Sequence, residues 1–227
     1  MTRYRAWLSN FDLLKPESTR RLLWTGLALL FLGLFLKLTD EVSEHGNLDT
    51  LDQRILIMIA HYRVAAFNGS AVDFTALGSP TVITLITVIG VLLLWLNHDR
   101  RGSTYLATGS IGAGIGTYTL KHLLTRERPS VVPRLVEVTG YSYPSGHSLS
   151  ATSVYLLLMF LAWRYYRGWQ ARLALLLCAS VVIGGVCLSR LYLGVHYPSD
   201  VLSGVFLGAA WTCLLTAYFS RAESGAR

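Results

Sequence analysis

Three short patches gather the side chains best suited to chemistry: KHLLTRERP at 121–129, YPSGHS at 143–148 and SRLYLGVHYPSD at 189–200. Among them are the cations Lys121, Arg126, Arg128 and Arg190, the histidines His147 and His196, and the aspartate Asp200. Clustered cations suit an anion of high charge density, and phosphate is the obvious candidate. His196 and Asp200 are four residues apart. In a helix that begins near His196, the carboxylate holds one ring nitrogen and leaves the other as a nucleophile. His147, at a second helix start, is then available as a general acid. Ser145 and Gly146 stand just before that helix, where unsatisfied backbone N–H groups can receive an anion. Lys121 and Arg128 are seven apart and share a face if the helix carrying Lys121 runs that far. A metal ion is the rival reading for two histidines and an aspartate. The fixed cations would repel it, so neither metal nor cofactor is expected.

The elements that must position these residues are apolar. Of the 227 residues, 52% are hydrophobic and 15% charged, where a soluble domain carries about 25% charged. Six segments approach the length that crosses a bilayer: 22–39, 81–97, 103–123, 147–163, 172–189 and 199–219. The third is rich in small residues and holds Gly112 and Gly116 in a GxxxG pattern; Gly204 and Gly208 repeat it in the sixth. Both read as close helix packing. The expected fold is therefore all-α, a polytopic membrane protein of six transmembrane helices in a single domain over residues 1–227. The first segment is too long for the apolar stretch of a signal peptide, and no A-x-A site follows it. Cys178, Cys187 and Cys213 all lie in apolar runs and read as small core residues.

The net charge of +7 reads as membrane topology rather than nucleic-acid binding. Residues 1–21, 98–102 and 164–172 and the tail hold twelve of the twenty Lys and Arg residues, Arg3, Arg5, Lys15, Arg167 and Arg227 among them. These segments all meet one end of the six spans, so both termini are expected in the cytoplasm. The first outer loop, 40–80, is mainly acidic. Within it Leu51, Ile55, Met58, Ile59, Tyr62 and Ala66 recur at helical spacing, which predicts an amphipathic helix on the membrane surface or against the bundle. The parity of the spans carries all three chemical patches to the outer face, where Lys and Arg are disfavoured. Snorkelling anchors would explain single cations, but not two histidines and an aspartate beside them.

Lys121, Arg128 and Pro129 form K-x6-RP; Pro144 to His147 form PSGH; Ser189, Arg190, His196 and Asp200 form SR-x5-H-x3-D. Together these resemble, without substitution and in order, the three-part signature of the type-2 phosphatidic acid phosphatases, shared with the vanadium haloperoxidases. The six-segment layout is similar to the integral-membrane branch of that family. The resemblance implies a phosphohistidine on His196, oriented by Asp200. His147 protonates the leaving group and then activates water, and Lys121, Arg128, Ser145, Gly146 and Arg190 clamp the phosphate. It implies a membrane-embedded lipid phosphate or diphosphate phosphatase of a bacterial inner membrane, working at the outer leaflet without a metal. Undecaprenyl diphosphate, phosphatidylglycerol phosphate and phosphatidate are the substrates in view. A lipid phosphotransferase using the same histidines, a vanadate peroxidase and a non-enzymatic transporter are the alternatives. Arg126 and His122 fall outside the signature and outside the expected site.

Overall fold

The computed structural model describes residues 16–44, 46–166 and 168–221. Arg3, Arg5, Lys15, Arg167 and Arg227, five of the basic residues used to orient the chain, lie outside the described residues. The described chain is helical, with no strand: α1 Pro16–Ser43, α2 Asn47–His61, a 3-10 turn Ala65–Phe67, α3 Asn68–Ala76, α4 Pro80–Leu96, α5 Arg100–Leu124, α6 Gly146–Trp163, α7 Trp169–Tyr192 and α8 Pro198–Arg221. Local sequence sets several of these bounds. Ser79 caps α4, accepting from the Val82 N–H at 3.3 Å, with Pro80 in the first turn. The Asp99 carboxylate caps α5 through the Gly102 N–H at 2.8 Å, and the Ser145 hydroxyl caps α6. Thr125, in the left-handed region at φ 38°, closes α5.

Each expected span is a helix, but not every one has the length and composition of a crossing. Ser18–Ser43, Gly146–Trp163, Trp169–Tyr192 and Pro198–Phe219 do. The bent pair Asn47–His61 and Ala65–Ala76, with a 104° break, qualifies only as a unit, giving at most five against the six expected. Pro80–Leu96 is apolar but only 17 residues long. Arg100–Leu124 is long, but Gly, Ser and Thr dilute its apolar side chains.

The six long helices alternate in direction. Near the end of α1, the Thr39 hydroxyl meets the Tyr143 hydroxyl at 2.7 Å, just before α6. Early in α1, Trp24 packs edge-on against Phe160 near the end of α6. Gly78, before α4, lies against the His147 backbone. One end of the bundle thus collects the ends of α1, α5 and α7 and the starts of α4, α6 and α8. The starts of α1 and α5 and the α6–α7 connection lie at the opposite end, with Arg20, Arg21, Arg100, Arg101, Arg164 and Arg172.

A helix, α2, covers most of the stretch where the amphipathic helix was expected, but the residues it buries are not those that carried the apolar spacing. Asp52 and Leu56 are its buried residues, while Leu51, Met58 and Tyr62 are more than half exposed. Asp52 points inward because α8 and the loop after α5 supply donors for its carboxylate. The helix packs against α7 and α8, and Ala66 falls beyond it in the 3-10 turn.

Of the two GxxxG patterns, the one in α8 seats the first turns of α6. A Cβ on Gly204 would come within 2.6 Å of the Ser145 carbonyl oxygen, and one on Gly208 within 2.7 Å of the Leu149 carbonyl oxygen. In α5 only Gly112 works this way, against the Trp211 ring; Gly116 has nothing within 4 Å. Gly208→Ala should therefore lower the melting temperature in detergent by the equivalent of about 1–3 kcal/mol, the usual cost of overpacking. Gly116→Ala should leave it unchanged or raise it by up to about 1 kcal/mol through helix propensity. Equal shifts at the two positions would show that α6 and α8 are not in backbone contact.

Candidate active site

The three patches meet at the end of the bundle where α5, α6, α7 and α8 turn. Asp200 has no exposed surface, and His196 and Arg190 are almost as deeply buried. The starts of α6 and α8 are joined directly, the Ser145 N–H donating to the Asp200 carbonyl oxygen at 2.9 Å. Both starts therefore aim the positive ends of their dipoles at the same region. The Ser145 hydroxyl accepts from the Ser148 hydroxyl at 3.0 Å. A Cβ on Gly146 would meet Thr117 Cγ2 at 2.7 Å, so the absence of a side chain lets α6 start against α5.

His196 lies in the turn between α7 and α8, two residues before the helix. Its Nδ1 is 3.3 Å from Asp200 Oδ2, which also accepts the Tyr197 N–H at 2.9 Å. Its Nε2 is 3.4 Å from Arg128 Nη1. A guanidinium can only donate, so this contact requires an unprotonated Nε2 and puts the ring proton on Nδ1, facing Asp200. Burial, followed by the charges of Arg190, Arg128 and Lys121, holds His196 well below the ordinary imidazole value. The imidazole is neutral, with its lone pair turned toward the cations. His147, one residue into α6, lies within the electrostatic reach of Arg190, His196, Lys121 and Arg128.

The three expected clamp cations bond only to neutral groups. Lys121 Nζ donates to the Tyr141 carbonyl oxygen. Arg128 donates to the carbonyl oxygens of Gly140 and Val195 at 2.9 Å and Thr139 at 3.1 Å. Arg190 Nη1 donates to the Thr75 hydroxyl at 2.7 Å, while its buried Nε has no hydrogen-bond partner among the described residues. Arg128 does not share a helix face with Lys121: α5 ends at Leu124, and Arg128 returns toward the site from an extended loop. Burial holds its guanidinium below the ordinary value.

Arg126 is the residue that sequence reasoning set aside. Its side chain is 8% exposed and bonds Asp200, Asp52 and Asp49 at 2.7, 2.9 and 2.7 Å. Burial opposes its charge; the Asp200 and Asp52 carboxylates more than offset that and hold the guanidinium above its ordinary value. Arg126 is not a snorkelling anchor. The signal available in the sequence was the pair of acidic residues three apart at 49 and 52, on one face of the outer-loop helix.

The chain is similar to several known proteins. The PAP2 superfamily matches residues 102–224. Phosphatidylglycerophosphatase B of Bacillus subtilis is 31% identical over 144 residues, covering 50% of this chain and 70% of its own. An undecaprenyl-diphosphatase of Sulfolobus acidocaldarius is 29% identical over 197 residues, 84% of this chain and 86% of its own. Among solved structures, a transmembrane PAP2-type phosphatidylglycerolphosphate phosphatase from Bacillus subtilis superposes with a TM-score of 0.79 at 23% identity. That match covers 88% of this chain and 97% of the other. With its long apolar helices and three patches converged at one end of the bundle, the chain is an integral membrane phosphatase and belongs to the PAP2 superfamily.

Proposed function

We propose that this chain removes the terminal phosphate of a lipid phosphate or diphosphate through a phosphohistidine at His196. One observation carries the reading. Lys121, Arg128 and Arg190 converge on a neutral histidine, and no carboxylate lies within 4 Å of any of them among the described residues. Three uncompensated cations beside a lone pair suit a multiply charged anion that is to be attacked.

His196 Nε2 attacks phosphorus, forming the N–P bond as the bond to the leaving oxygen breaks. Asp200 faces Nδ1–H and stabilises the cationic phosphohistidine. His147 gives its proton to the leaving oxygen, then takes one from the water that attacks phosphorus and frees inorganic phosphate. The clamp cations, the Ser145 hydroxyl, the Gly146 N–H and the Arg190 Nε, which has no partner among the described residues, hold the non-bridging oxygens. The charge that a metal would neutralise is met by these fixed cations. The names of the relatives direct the substrate choice to phosphatidylglycerophosphate and undecaprenyl diphosphate, with phosphatidate as a third candidate.

The same reading takes the six long helices as crossings, α4 and α5 qualifying through their neighbours rather than their own hydropathy. The remote end of the bundle, with its six arginines, would then face the cytoplasm of a bacterial inner membrane, and the site would face the outer leaflet.

His196→Ala should abolish turnover, because no other group forms the covalent intermediate. His147→Ala should cost about a hundred- to ten-thousand-fold, the range of general acid–base help. Phosphate release from detergent-solubilised protein on a panel of lipid phosphates measures both; an active His196→Ala would end the proposal. Lipid-linked phosphate appearing on an added alcohol would instead mark a phosphotransferase.

In histidine-labelled protein, the His196 ring nitrogens should remain those of a neutral Nδ1–H tautomer at pH values where an ordinary imidazole is largely protonated. An ordinary imidazole is half protonated near pH 6.5. Because the unfolded chain binds that proton and the folded chain does not, this histidine costs stability as the pH falls below about 6.5. A His196 midpoint near 6.5 would show that the ring is not shielded.

A single cysteine at Ser130, exposed in the loop after α5, should react with a membrane-impermeant maleimide in intact cells. One at Gly168 should not. The reverse pattern would move the site to the cytoplasm.

A further inference from the structure

Arg126 makes no use of phosphate in the proposed reaction, yet among the described residues it is the cation at the site that is paired with carboxylates. Nη1 donates to Asp200 Oδ1 and the Ser199 hydroxyl, both at 2.7 Å. Nη2 donates to Asp49 Oδ1 at 2.7 Å and Asp52 Oδ2 at 2.9 Å. Its four Nη hydrogens are therefore committed to protein oxygens, and its face lies 4.3 Å from the Tyr197 ring centroid. It differs in this from Arg190 and Arg128, whose partners are neutral. Asp52 is buried and reaches α8 a second time, accepting the Ser199 N–H at 3.0 Å and the Ser199 hydroxyl. Ser199 immediately precedes Asp200. The carboxylate that faces His196 is thus held on one oxygen by Arg126 and on the other by Tyr197 N–H and His196 Nδ1. The residue before it is pinned to the outer-loop helix.

We propose that Arg126 is a positioning residue that sets the Asp200 carboxylate against His196, and that α2, through Asp52, locks this arrangement to the start of α8. The proposal rests on the catalytic reading above. It makes the first outer loop a working part of the catalytic end. Arg126 is also the only guanidinium among the three carboxylates of Asp49, Asp52 and Asp200 in the described structure. Removing it leaves Asp200 facing two like charges, so relieving one of those charges should restore part of what was lost.

The test uses solubilised full-length protein and a lipid phosphate substrate. Arg126→Met should lower kcat about a hundredfold, the cost of a catalytic group displaced by about 1 Å, with KM changed by less than about threefold because no phosphate contact is lost. Orthovanadate, titrated calorimetrically, should still bind at one site per chain with unchanged affinity, which separates mispositioning from a misfolded fraction. Adding Asp52→Asn to Arg126→Met should recover about tenfold in kcat, non-additively, as expected for members of one charge network. Arg126→Lys, which keeps the charge but not the four-point fork, should fall between wild type and Arg126→Met. The proposal is overturned by wild-type kcat in Arg126→Met, by loss of vanadate affinity as large as the loss of kcat, or by strictly additive losses in the double variant. If Arg126→Met does not fold, the ordering of Arg126→Lys and Asp52→Asn on kcat at constant KM decides the matter. Loss of KM rather than kcat in either rejects the idea. An active His196→Ala would sink the underlying mechanism, whereas a dead His196→Ala with a fully active Arg126→Met would sink this proposal alone.

Discussion

Asp200 has no exposed surface, and a carboxylate taken out of water is tolerated as an anion only when donors replace its hydration. Those donors combine one distant segment with the local chain. Arg126 arrives from the loop after α5, and Tyr197 N–H and His196 from the turn before α8. The backbone carbonyl of Asp200 in turn receives Ser145 at the start of α6. Satisfying one buried charge therefore fixes the relative placement of the α5, α6 and α8 ends, and the rest of this end of the bundle is built around that requirement. Ser142 reinforces it, donating its N–H and hydroxyl back to the carbonyl oxygens of Arg126 and Glu127.

Charge is sorted on the two sides of His196. On the Asp200 side, one guanidinium meets three carboxylates. On the other side, Lys121, Arg128 and Arg190 rest on carbonyl and hydroxyl oxygens. Neutral partners orient a cation without spending its field, whereas a carboxylate at contact distance cancels most of it. At a partly buried site, two unit charges about 4 Å apart interact by several kcal/mol, so an acidic residue inside the cation group would remove much of the attraction for phosphate. Acidic Asp49 and Asp52 are consumed by Arg126 instead. The proposed reaction needs both environments: cations to receive the anion, and a carboxylate behind the imidazole once it becomes cationic.

What the sequence made legible follows from how local each relationship is. His196 and Asp200, four apart across a helix start, and Ser145, just before another, are short-range relationships readable from spacing, and the structure places His196 Nδ1 3.3 Å from Asp200 and Ser145 immediately before α6. Lys121 and Arg128 would share a face only if the helix carrying Lys121 ran that far, and it stops at Leu124. Thr125 takes a left-handed conformation and ends α5; a threonine gives less warning of that than a glycine would. Arg126 was illegible for a different reason. Its partners lie 74 and 77 residues away, and in the linear chain it sits among other basic residues at a span end. Helix α2 lies where the apolar period was read, but the residues it buries, Asp52 and Leu56, are not among those that carried the period. One long-range ion pair, with Arg126, and the hydrogen bonds from Ser199 bury Asp52 where pattern alone would bury Leu51.

The composition of α5 shows why hydropathy and site geometry pull against each other here. A Cβ on Gly109 would come within 2.1 Å of Leu157 on α6, and one on Gly112 within 2.4 Å of the Trp211 ring on α8. The Trp211 indole N–H donates to the Gly109 carbonyl oxygen at 3.0 Å, and the Tyr105 hydroxyl meets Thr216 at 2.7 Å. Small residues let α5 approach both neighbours closely enough for Lys121, at its end, to reach the loop before α6. Larger apolar residues would raise the helix's hydropathy and push its axis outward, carrying Lys121 away from His196. A helix central to the bundle meets protein rather than lipid on much of its surface, so it can give up the apolar side chains that a lipid-facing crossing requires. The weak apolar signal of α5 is thus a consequence of its position between α6 and α8, and that position is what brings the first patch to the other two.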